Sequence, residues 1–327
     1  MQRRTFGVWL GAVVLLAGSW KGFTQTGSAY RVDVDLVAVR FEVEDNKGNA
    51  VRGLTAADIR LLEDGIPQQI ANFAGVPDIP QASAGEGRSG ASIYLLFNTS
   101  NGMYNTFPYV YDAISEFIRR LDKADSIAIY TFSRNLFRAA PLTKDHAAAR
   151  AGLANAVVGD DTALFNSLLL TIRDAAKVPG GKAIVVFSNG HDNASMVSPG
   201  DVARVAENEG IPIYVISTDL QGKQGNLSEE LQSLVSRTGG KLYGAGNWSQ
   251  QANAFRSARE DIENSYTAYY YPAPNPNEGF RKLTVEIQSA QGKSYRVRAR
   301  SGYDMRARKR ISATLPLTPK SSTRAPQ

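Results

Sequence analysis

From residue 91 onward, short apolar runs of strand length alternate with longer segments whose apolar residues recur with the period of a helix. Parallel strands need long crossover connections, usually helices, and a sheet built this way is covered on both faces. The alternation therefore predicts an α/β domain over residues 91–264 with a doubly wound, mostly parallel sheet. We expect strands at 93–97, 127–132, 183–187 and 211–216, and helices at 107–121, 162–176, 202–209, 226–238 and 249–264.

The segments that flank this domain alternate apolar and polar residues with a period of two, which is typical of half-buried strands. One is residues 30–75, where Asp64-Gly65 predicts a hairpin turn, and the other is residues 265–304. Each is too small to fold well alone. We therefore expect them to pair into one β-sandwich-like module, with the proline- and glycine-rich residues 76–90 as the linker to the α/β domain.

The two ends of the chain differ in composition from the rest. Residues 1–29 predict an export signal, because Arg3 and Arg4 precede an apolar stretch at 6–18 that is short for a membrane span. An uncleaved membrane anchor is the alternative for this segment. Residues 305–327 predict a basic, disordered tail. We accordingly expect a periplasmic or extracellular protein, and a chain without cysteine has no disulfide and no thiolate chemistry.

The formal net charge of +6 belongs to these two ends. The tail carries six basic residues and residues 1–29 carry three, both without acids, so residues 30–304 carry a net charge of −3. An acidic body gives no electrostatic support for nucleic-acid binding. We therefore expect no nucleic-acid partner, and membrane contact only through the signal anchor or the basic tail.

Polar residues directly follow two of the predicted strands. The sequence Asn98-Thr99-Ser100-Asn101-Gly102-Met103 follows one apolar run, and Ser188-Asn189-Gly190 follows another. A third polar segment, Gly159-Asp160-Asp161-Thr162, precedes a predicted helix. Open α/β sheets bind ligands at the carboxyl ends of their strands, so these three segments predict one binding edge.

These segments resemble the metal-ion-dependent adhesion site (MIDAS) of von Willebrand factor A (VWA) domains, in which one strand ends in Asp-x-Ser-x-Ser and a later one in Thr-Asp-Gly. The whole chain also resembles the bacterial VWFA-related family typical of acidobacteria, with β segments on both sides and the ending Arg298-Ala299-Arg300-Ser301-Gly302-Tyr303. The resemblance implies a VWA-like fold and an adhesion-type binding protein. It assigns five MIDAS positions, which are Asn98, Ser100, Gly102, Thr162 and Asn189.

Three of these positions depart from the family's pattern, because Asn98 and Asn189 stand in place of acids and Gly102 in place of a serine. Mg²⁺, the usual MIDAS ion, demands oxygen ligands and is attracted by carboxylate charge. The resemblance therefore implies a degenerate MIDAS with lost or weakened metal binding; we expect no cofactor, and Mg²⁺ is the disfavoured alternative.

Two further interpretations of these loops stay open at the level of sequence. The asparagines could simply cap their loops, as asparagine commonly does. The chain could also be an Mg²⁺-dependent adhesion module with compensating ligands from Asp160, Asp161 or Asp192, since each of these acids is expected near the same edge.

The function predicted for this edge is binding of a protein partner that the sequence does not identify. We expect a non-enzymatic protein, because Ser100 and His191 lack the base, nucleophile and orienting group that a hydrolase combines. A hydrolase and a purely structural envelope protein are the competing hypotheses. The predicted contact rim consists of Asn98, Thr99, Ser100, Asn101, Met103, Asp161 and His191.

Overall fold

The computed structural model describes residues 36–75, 90–219, 225–288 and 294–307. The predicted signal peptide at 1–29, nearly all of the predicted linker at 76–90 and most of the predicted tail at 305–327 lie outside the described residues. None of the helices within the described ranges combines the length and the apolar content that crossing a bilayer requires.

The described ranges contain fourteen β-strands and six α-helices, together with short 3₁₀ helices. In chain order they are β1 (Val37–Glu44), β2 (Ile59–Glu63), β3 (Ile66–Gln68), β4 (Ile70–Ala74), β5 (Ser92–Asn98), α1 (Phe107–Arg119), β6 (Ser126–Phe132), β7 (Leu136–Thr143), α2 (His146–Gly152), α3 (Leu164–Ala176), β8 (Lys182–Ser188), α4 (Pro199–Glu209), β9 (Ile213–Ser217), α5 (Gly225–Thr238), β10 (Leu242–Gly244), α6 (Trp248–Glu263), β11 (Tyr266–Tyr270), β12 (Phe280–Ile287), β13 (Arg296–Ala299) and β14 (Gly302–Asp304).

A six-stranded sheet with the order β10-β9-β8-β5-β6-β7 forms the centre of the α/β part. All neighbouring pairs are parallel except β6 and β7, which are antiparallel. Helices α1, α2 and α6 contribute to the core on one face, and α3, α4 and α5 contribute to the core on the other. The predicted fold class, a doubly wound and mostly parallel sheet, is confirmed.

Strand β5 shows why the central sheet is apolar throughout. Its side chains alternate between the two cores, with Ile93 and Leu95 in one and Tyr94 and Leu96 in the other. All four are at most 2% exposed. A strand covered on both faces needs apolar residues at every position, since burying each such side chain stabilises the fold by about 1.5–3 kcal/mol.

Two four-stranded antiparallel sheets, ordered β13-β1-β11-β4 and β14-β12-β2-β3, form the second part of the molecule. Each sheet combines strands from before and after the α/β part, because β1 pairs with β11 and β2 pairs with β12. They enclose one core that contains Phe41 and Tyr266 from the first sheet and Leu61 and Leu283 from the second. The predicted β-sandwich-like module from both flanks is thus present in the fold.

The chain leaves the sandwich for the α/β part and returns to the sandwich at neighbouring points. Strand β4 ends at Ala74, before the α/β part begins, and β11 starts at Tyr266, directly after α6. These two strands are antiparallel neighbours, with Ala74 opposite Thr267.

A buried group of charged side chains joins the sandwich to the central sheet. Arg298 Nη1 lies 2.7 Å from Glu44 Oε1, and Lys241 Nζ lies 2.9 Å from the same oxygen and 3.2 Å from Asp261 Oδ2. Glu42, which is 5% exposed, accepts hydrogen bonds from Tyr214 and Arg298. Three carboxylates therefore face two cations in this cluster.

Candidate functional site at the carboxyl edge of the parallel sheet

Adjacent parallel strands bring the two asparagine loops together. Strands β5 and β8 are neighbours with Phe97 opposite Phe187, so the residues that follow both strands emerge side by side. A third loop joins them, because Ser100 forms a parallel bridge with Gly159. The structure therefore places the three predicted segments at one edge of the sheet.

Asn98 is completely buried and links the first loop to the second. Its Oδ1 accepts a hydrogen bond from the backbone N–H of Ser100 at 2.9 Å. Its Nδ2 donates to Ser188 Oγ at 3.0 Å and to Asn189 Oδ1 at 3.2 Å. Each polar atom of this amide thus has a partner within the protein, as a buried polar group requires.

The contact between Asn98 and Asn189 depends on an amide donor at position 98. A carboxylate only accepts hydrogen bonds, whereas an amide both donates and accepts. Two facing carboxylates would repel each other and would need a cation or a proton between them. Here Asn98 donates, and Asn189 Oδ1 accepts from it and from the backbone N–H of His191 at 3.2 Å. The pair links the two loops directly by a hydrogen bond.

Gly102 leaves room for the Asn189 side chain. A Cβ atom at position 102 would lie only 2.7 Å from Asn189 Nδ2 and 4.0 Å from Ser100 Oγ. A serine at this position would therefore force Asn189 to move. The absence of a side chain at position 102 and the present position of the Asn189 amide are consequently linked.

The first two candidate compensating ligands, Asp160 and Asp161, form hydrogen bonds with other side chains. Asp160 Oδ1 accepts a hydrogen bond from Asn101 Nδ2 at 2.8 Å. Asp161 pairs with Arg134 at 3.2 Å and accepts from Asn193 Nδ2 at 3.3 Å. Both carboxylates serve contacts between loops, and the Asp161 charge is already balanced by a guanidinium.

The third candidate, Asp192, stabilises the start of α3. Its Oδ2 accepts from the backbone N–H of Phe165 at 2.9 Å, and its Oδ1 accepts from the backbone N–H of Ser195 at 2.9 Å. The first turn of a helix has unpaired N–H groups and a partial positive charge, so a carboxylate there is favourable. The geometry gives Asp192 a capping role.

Thr162 belongs to the same connection between loops. Its backbone N–H donates to Asn193 Oδ1 at 2.8 Å, and its carbonyl oxygen accepts from the N–H groups of Asn193 and Ala194. Ser188 is a site residue to which sequence reasoning gave no role. Ser188 stands at the end of its strand directly before Asn189, and that position was the available signal.

The donor set does not fit Mg²⁺. The ion requires several oxygen ligands in near-octahedral geometry. Asn98 directs its nitrogen toward the second loop and its oxygen toward Ser100 N, and Gly102 supplies no side-chain ligand. Within the described ranges, no group of three or more acidic, histidine or cysteine side chains is arranged to hold a metal. The oxygen of Ser100 is buried without a hydrogen-bond partner, and one hydroxyl does not make a metal site.

The burial of the first loop corrects the predicted contact rim. Thr99 is 0% exposed and donates through its hydroxyl to the carbonyl of Val157 at 2.6 Å, while Met103 is 1% exposed. Asn98 and Ser100 are also buried, so these four residues shape the edge from inside and expose almost no side-chain surface. The residues that do reach the surface on these loops include Asn101, Asp160, Asp161, His191, Asn193 and Met196.

A hydrolase would need a base hydrogen-bonded to its serine nucleophile. Ser100 Oγ, the candidate nucleophile, has no hydrogen-bond partner among the described residues, so no base activates it there. His146 lies away from this edge, with Nε2 3.0 Å from the carbonyl oxygen of Asp125 at the start of β6.

Comparisons with known proteins give likeness in structure alone. No protein-family profile matches the sequence, and no curated protein matches it. VWA-domain proteins are among the solved structures to which the chain is similar. One is the von Willebrand factor type A protein from Catenulispora acidiphila, at 12% identity and a TM-score of 0.46, covering 82% of this chain and 73% of that one.

Two further structures align over about half of this chain. The vWF domain of the type V pili tip protein Mfa5 from Porphyromonas gingivalis is 11% identical, covering 54% of this chain and 96% of that one, with a TM-score of 0.46. An aerotolerance-related membrane protein from Bacteroides fragilis is 17% identical, covering 53% and 98%, with a TM-score of 0.43. At these identities and TM-scores the likeness adds no argument about function, and the fold is defined by the strand order and helix placement of this chain.

Proposed function

We propose that this chain is a non-enzymatic, adhesion-type binding protein whose protein partner docks at the carboxyl edge of the parallel sheet without a metal ion. The observation that carries the proposal is the hydrogen bond from Asn98 Nδ2 to Asn189 Oδ1. It closes with neutral groups the place where the resembling motif holds a cation. The contact between Asn98 and Asn189 needs no bound cation, so the partner meets a preformed surface.

The exposed groups on these loops suit direct contact with a protein. Met196 is 92% exposed, and methionine is enriched at protein interfaces. Asn101, Asp160 and His191 supply exposed polar groups on the same three loops. An apolar contact combined with a polar rim is the usual composition of a protein interface.

We further propose that the protein acts in the periplasm or outside the cell. The support is the export signal predicted from the composition of residues 1–29. N-terminal sequencing of the protein recovered from the periplasmic fraction tests this location. A start between residues 24 and 29 is expected, and a protein that begins at Met1 and stays in the cytosol would refute it.

The binding role is tested by recovering envelope proteins on the immobilised wild-type chain, in EDTA and in Mg²⁺. The same specific partner is expected under both conditions. It should be lost from a variant with His191→Glu and Met196→Glu, and retained by Lys123→Glu, which changes an exposed residue in the turn before β6 at the opposite edge. Recovery only in Mg²⁺ would establish a metal-dependent module. Equal recovery by both variants would place binding elsewhere and favour a structural role for this edge.

A further inference from the structure

The sequence contains two Asn-Gly pairs, and both lie on the loops of the carboxyl edge. They are Asn101-Gly102 and Asn189-Gly190. Asparagine followed by glycine is the dipeptide most prone to deamidation, because glycine has no side chain to keep its backbone nitrogen away from the preceding side-chain amide. In this reaction that nitrogen attacks the amide carbon of its own neighbour, so the two reacting groups are already held close by the chain.

Around Asn189, hydrogen bonds lie at the atoms that this reaction changes. Asn189 Oδ1 accepts from Asn98 Nδ2 and from the backbone N–H of His191, each at 3.2 Å. Both donors stabilise the negative charge that this oxygen gains during attack on the amide carbon, as the donors of an oxyanion hole do. The N–H of Gly190, which carries the attacking nitrogen, donates to Ser188 Oγ at 3.0 Å. An acceptor therefore already faces the proton that has to leave.

The leaving group is the one polar atom of the Asn189 side chain that the surrounding loops do not hold. Asn189 Nδ2 donates to no acceptor in the ranges that the structure describes. It lies beside Gly102, only 2.7 Å from the place where a Cβ atom would stand. The residue is half-buried, so one side of it remains open to water. Departure of this nitrogen therefore breaks no hydrogen bond within the described residues.

We propose that Asn189 is a deamidation site, at which the backbone nitrogen of Gly190 converts the side-chain amide into aspartate or isoaspartate. The Gly190 nitrogen forms a bond to Asn189 Cγ and gives up its proton to solvent along the hydrogen bond to Ser188 Oγ. The bond from Cγ to Nδ2 breaks, and the nitrogen takes up a proton and leaves as ammonia. Water then opens the cyclic succinimide at either of its carbonyl groups. The net reaction consumes water and releases ammonia, and nothing is oxidised or reduced.

Aspartate, one of the two products, fits the hydrogen bonds of the site. A carboxylate oxygen at position 189 accepts from Asn98 Nδ2 and from the His191 N–H as the amide oxygen does, and hydrogen bonds to a charged acceptor are stronger. The reaction adds a negative charge to the carboxyl edge, and in isoaspartate it also lengthens the backbone. The effect on docking rests on the proposed function, whereas the deamidation itself does not.

The other pair, Asn101-Gly102, is an internal control with the same dipeptide. Asn101 begins the 3₁₀ helix Asn101–Thr106, and its Nδ2 donates to Asp160 Oδ1 at 2.8 Å. The helix would have to unwind before the succinimide ring could close, and the leaving nitrogen is held by a carboxylate. The structure therefore predicts slow deamidation at Asn101 and fast deamidation at Asn189.

The test is incubation of the purified chain in mildly alkaline buffer, in the native state and in concentrated urea, followed by peptide mapping with mass spectrometry. Replacement of NH₂ by OH raises the mass of the peptide that contains the site. In the native state we expect Asn189 to deamidate about tenfold or more faster than Asn101, and in urea the two rates should be about equal. Ser188→Ala, which removes the acceptor of the Gly190 N–H, should slow the native reaction at Asn189. The matched control is Ser195→Ala, whose hydroxyl accepts from the N–H of Asn166, and it should leave the rate unchanged.

Equal native rates at the two asparagines would overturn the proposal, because the dipeptide and not the fold would then set the rate. A native rate at Asn189 far below its rate in urea would overturn it as well, since the fold would then protect the amide. Circular dichroism shows whether each serine variant is folded, and the comparison of native with unfolded wild type decides even where Ser188→Ala does not fold. Partner recovery on Asn189→Asp is measured separately, so a chain that deamidates but recovers no partner refutes the proposed function alone.

Discussion

Asparagine and aspartate have nearly the same shape but differ in charge and in which atoms donate hydrogen bonds. At position 98 that difference decides how the two loops are held together. The amide donates to Ser188 and Asn189 while its oxygen stays on Ser100 N. An aspartate would present only acceptors to a neighbour that already accepts.

We therefore expect Asn98→Asp alone to lower the free energy of unfolding by about 1–3 kcal/mol, because a buried carboxylate would face Asn189 Oδ1 without a donor. Urea denaturation at pH 7 measures the change. Asn253→Asp, at an exposed position on α6, is the control and should change stability by less than about 0.5 kcal/mol. Equal effects of the two substitutions would show that the Asn98 contact is unimportant.

A restored variant with Asn98→Asp, Gly102→Ser and Asn189→Asp should gain metal binding. We expect Mg²⁺ or Mn²⁺ to raise its melting temperature relative to EDTA. At a metal concentration about one hundred times the dissociation constant, binding should raise the free energy of unfolding by about 2.7 kcal/mol. The wild-type chain should melt at the same temperature in EDTA, Mg²⁺, Mn²⁺ and Ca²⁺. A metal-dependent shift in the wild type would contradict the metal-free interpretation of the site.

The residues themselves predicted which loops meet, but not how each side chain is used. Strand ends at 98 and 189 could be placed at one edge because parallel neighbours emerge together. The burial of Thr99 and Met103 could not be predicted, since it depends on the packing of the loop at 157–163, which carries no periodic pattern. The occupied hydrogen bonds of Asp192 likewise depend on the course of a loop in three dimensions.

At the scale of elements, the long periodic segments were predictable and the irregular ones were not. The helix expected at 162–176 is α3 (Leu164–Ala176), and the one expected at 226–238 is α5 (Gly225–Thr238). The Asp64-Gly65 turn joins β2 to β3, with both residues at positive φ. Strand β7 and helix α2 were missed. The strand is an edge strand with register shifts and mixed burial, so its sequence lacks clear alternation.

The start of α3 gives a prediction at this scale. Asp192→Ala should lower the free energy of unfolding by about 1–2 kcal/mol, because it removes the carboxylate that accepts from Phe165 N. Chemical denaturation measures the loss, and Asp160→Ala is the control because Asp160 is exposed and accepts its one hydrogen bond within the described residues from Asn101. Adding Mg²⁺ should not alter the change in the free energy of unfolding of either variant. A loss that appears only when Mg²⁺ is present would make Asp192 a ligand.

At the scale of the whole molecule, the charged cluster between sandwich and central sheet predicts a pH dependence. Burial, followed by repulsion from Asp261, raises the pKa of Glu42 from 4.5 to about 7. Between about pH 4.5 and 7 the native state holds a proton that the unfolded chain releases. The stabilisation that results from the raised pKa is therefore fully present below about pH 4.5. It is lost as the pH rises toward and through 7, by an amount on the order of 3 kcal/mol.

Free energies of unfolding measured from pH 5 to 8 test this expectation. The wild type should lose stability across the window, and Glu42→Gln, which cannot ionise, should show a flatter profile. Glu286→Gln, at a half-exposed position paired with Arg60, should keep the wild-type slope. Parallel slopes in all three proteins would exclude Glu42 as the titrating group. The sequence has no pattern that predicts this cluster, because its members come from segments that are far apart in the chain.

The pairing of Ala74 with Thr267 has a consequence for how such a protein can arise. Two antiparallel strands side by side are what a two-residue turn normally connects. In this chain an entire α/β domain stands in the position of such a turn, between β4 and β11. In genetic terms the domain is an insert with adjacent ends, and such an insert can be gained, exchanged or deleted while its host keeps its strand order.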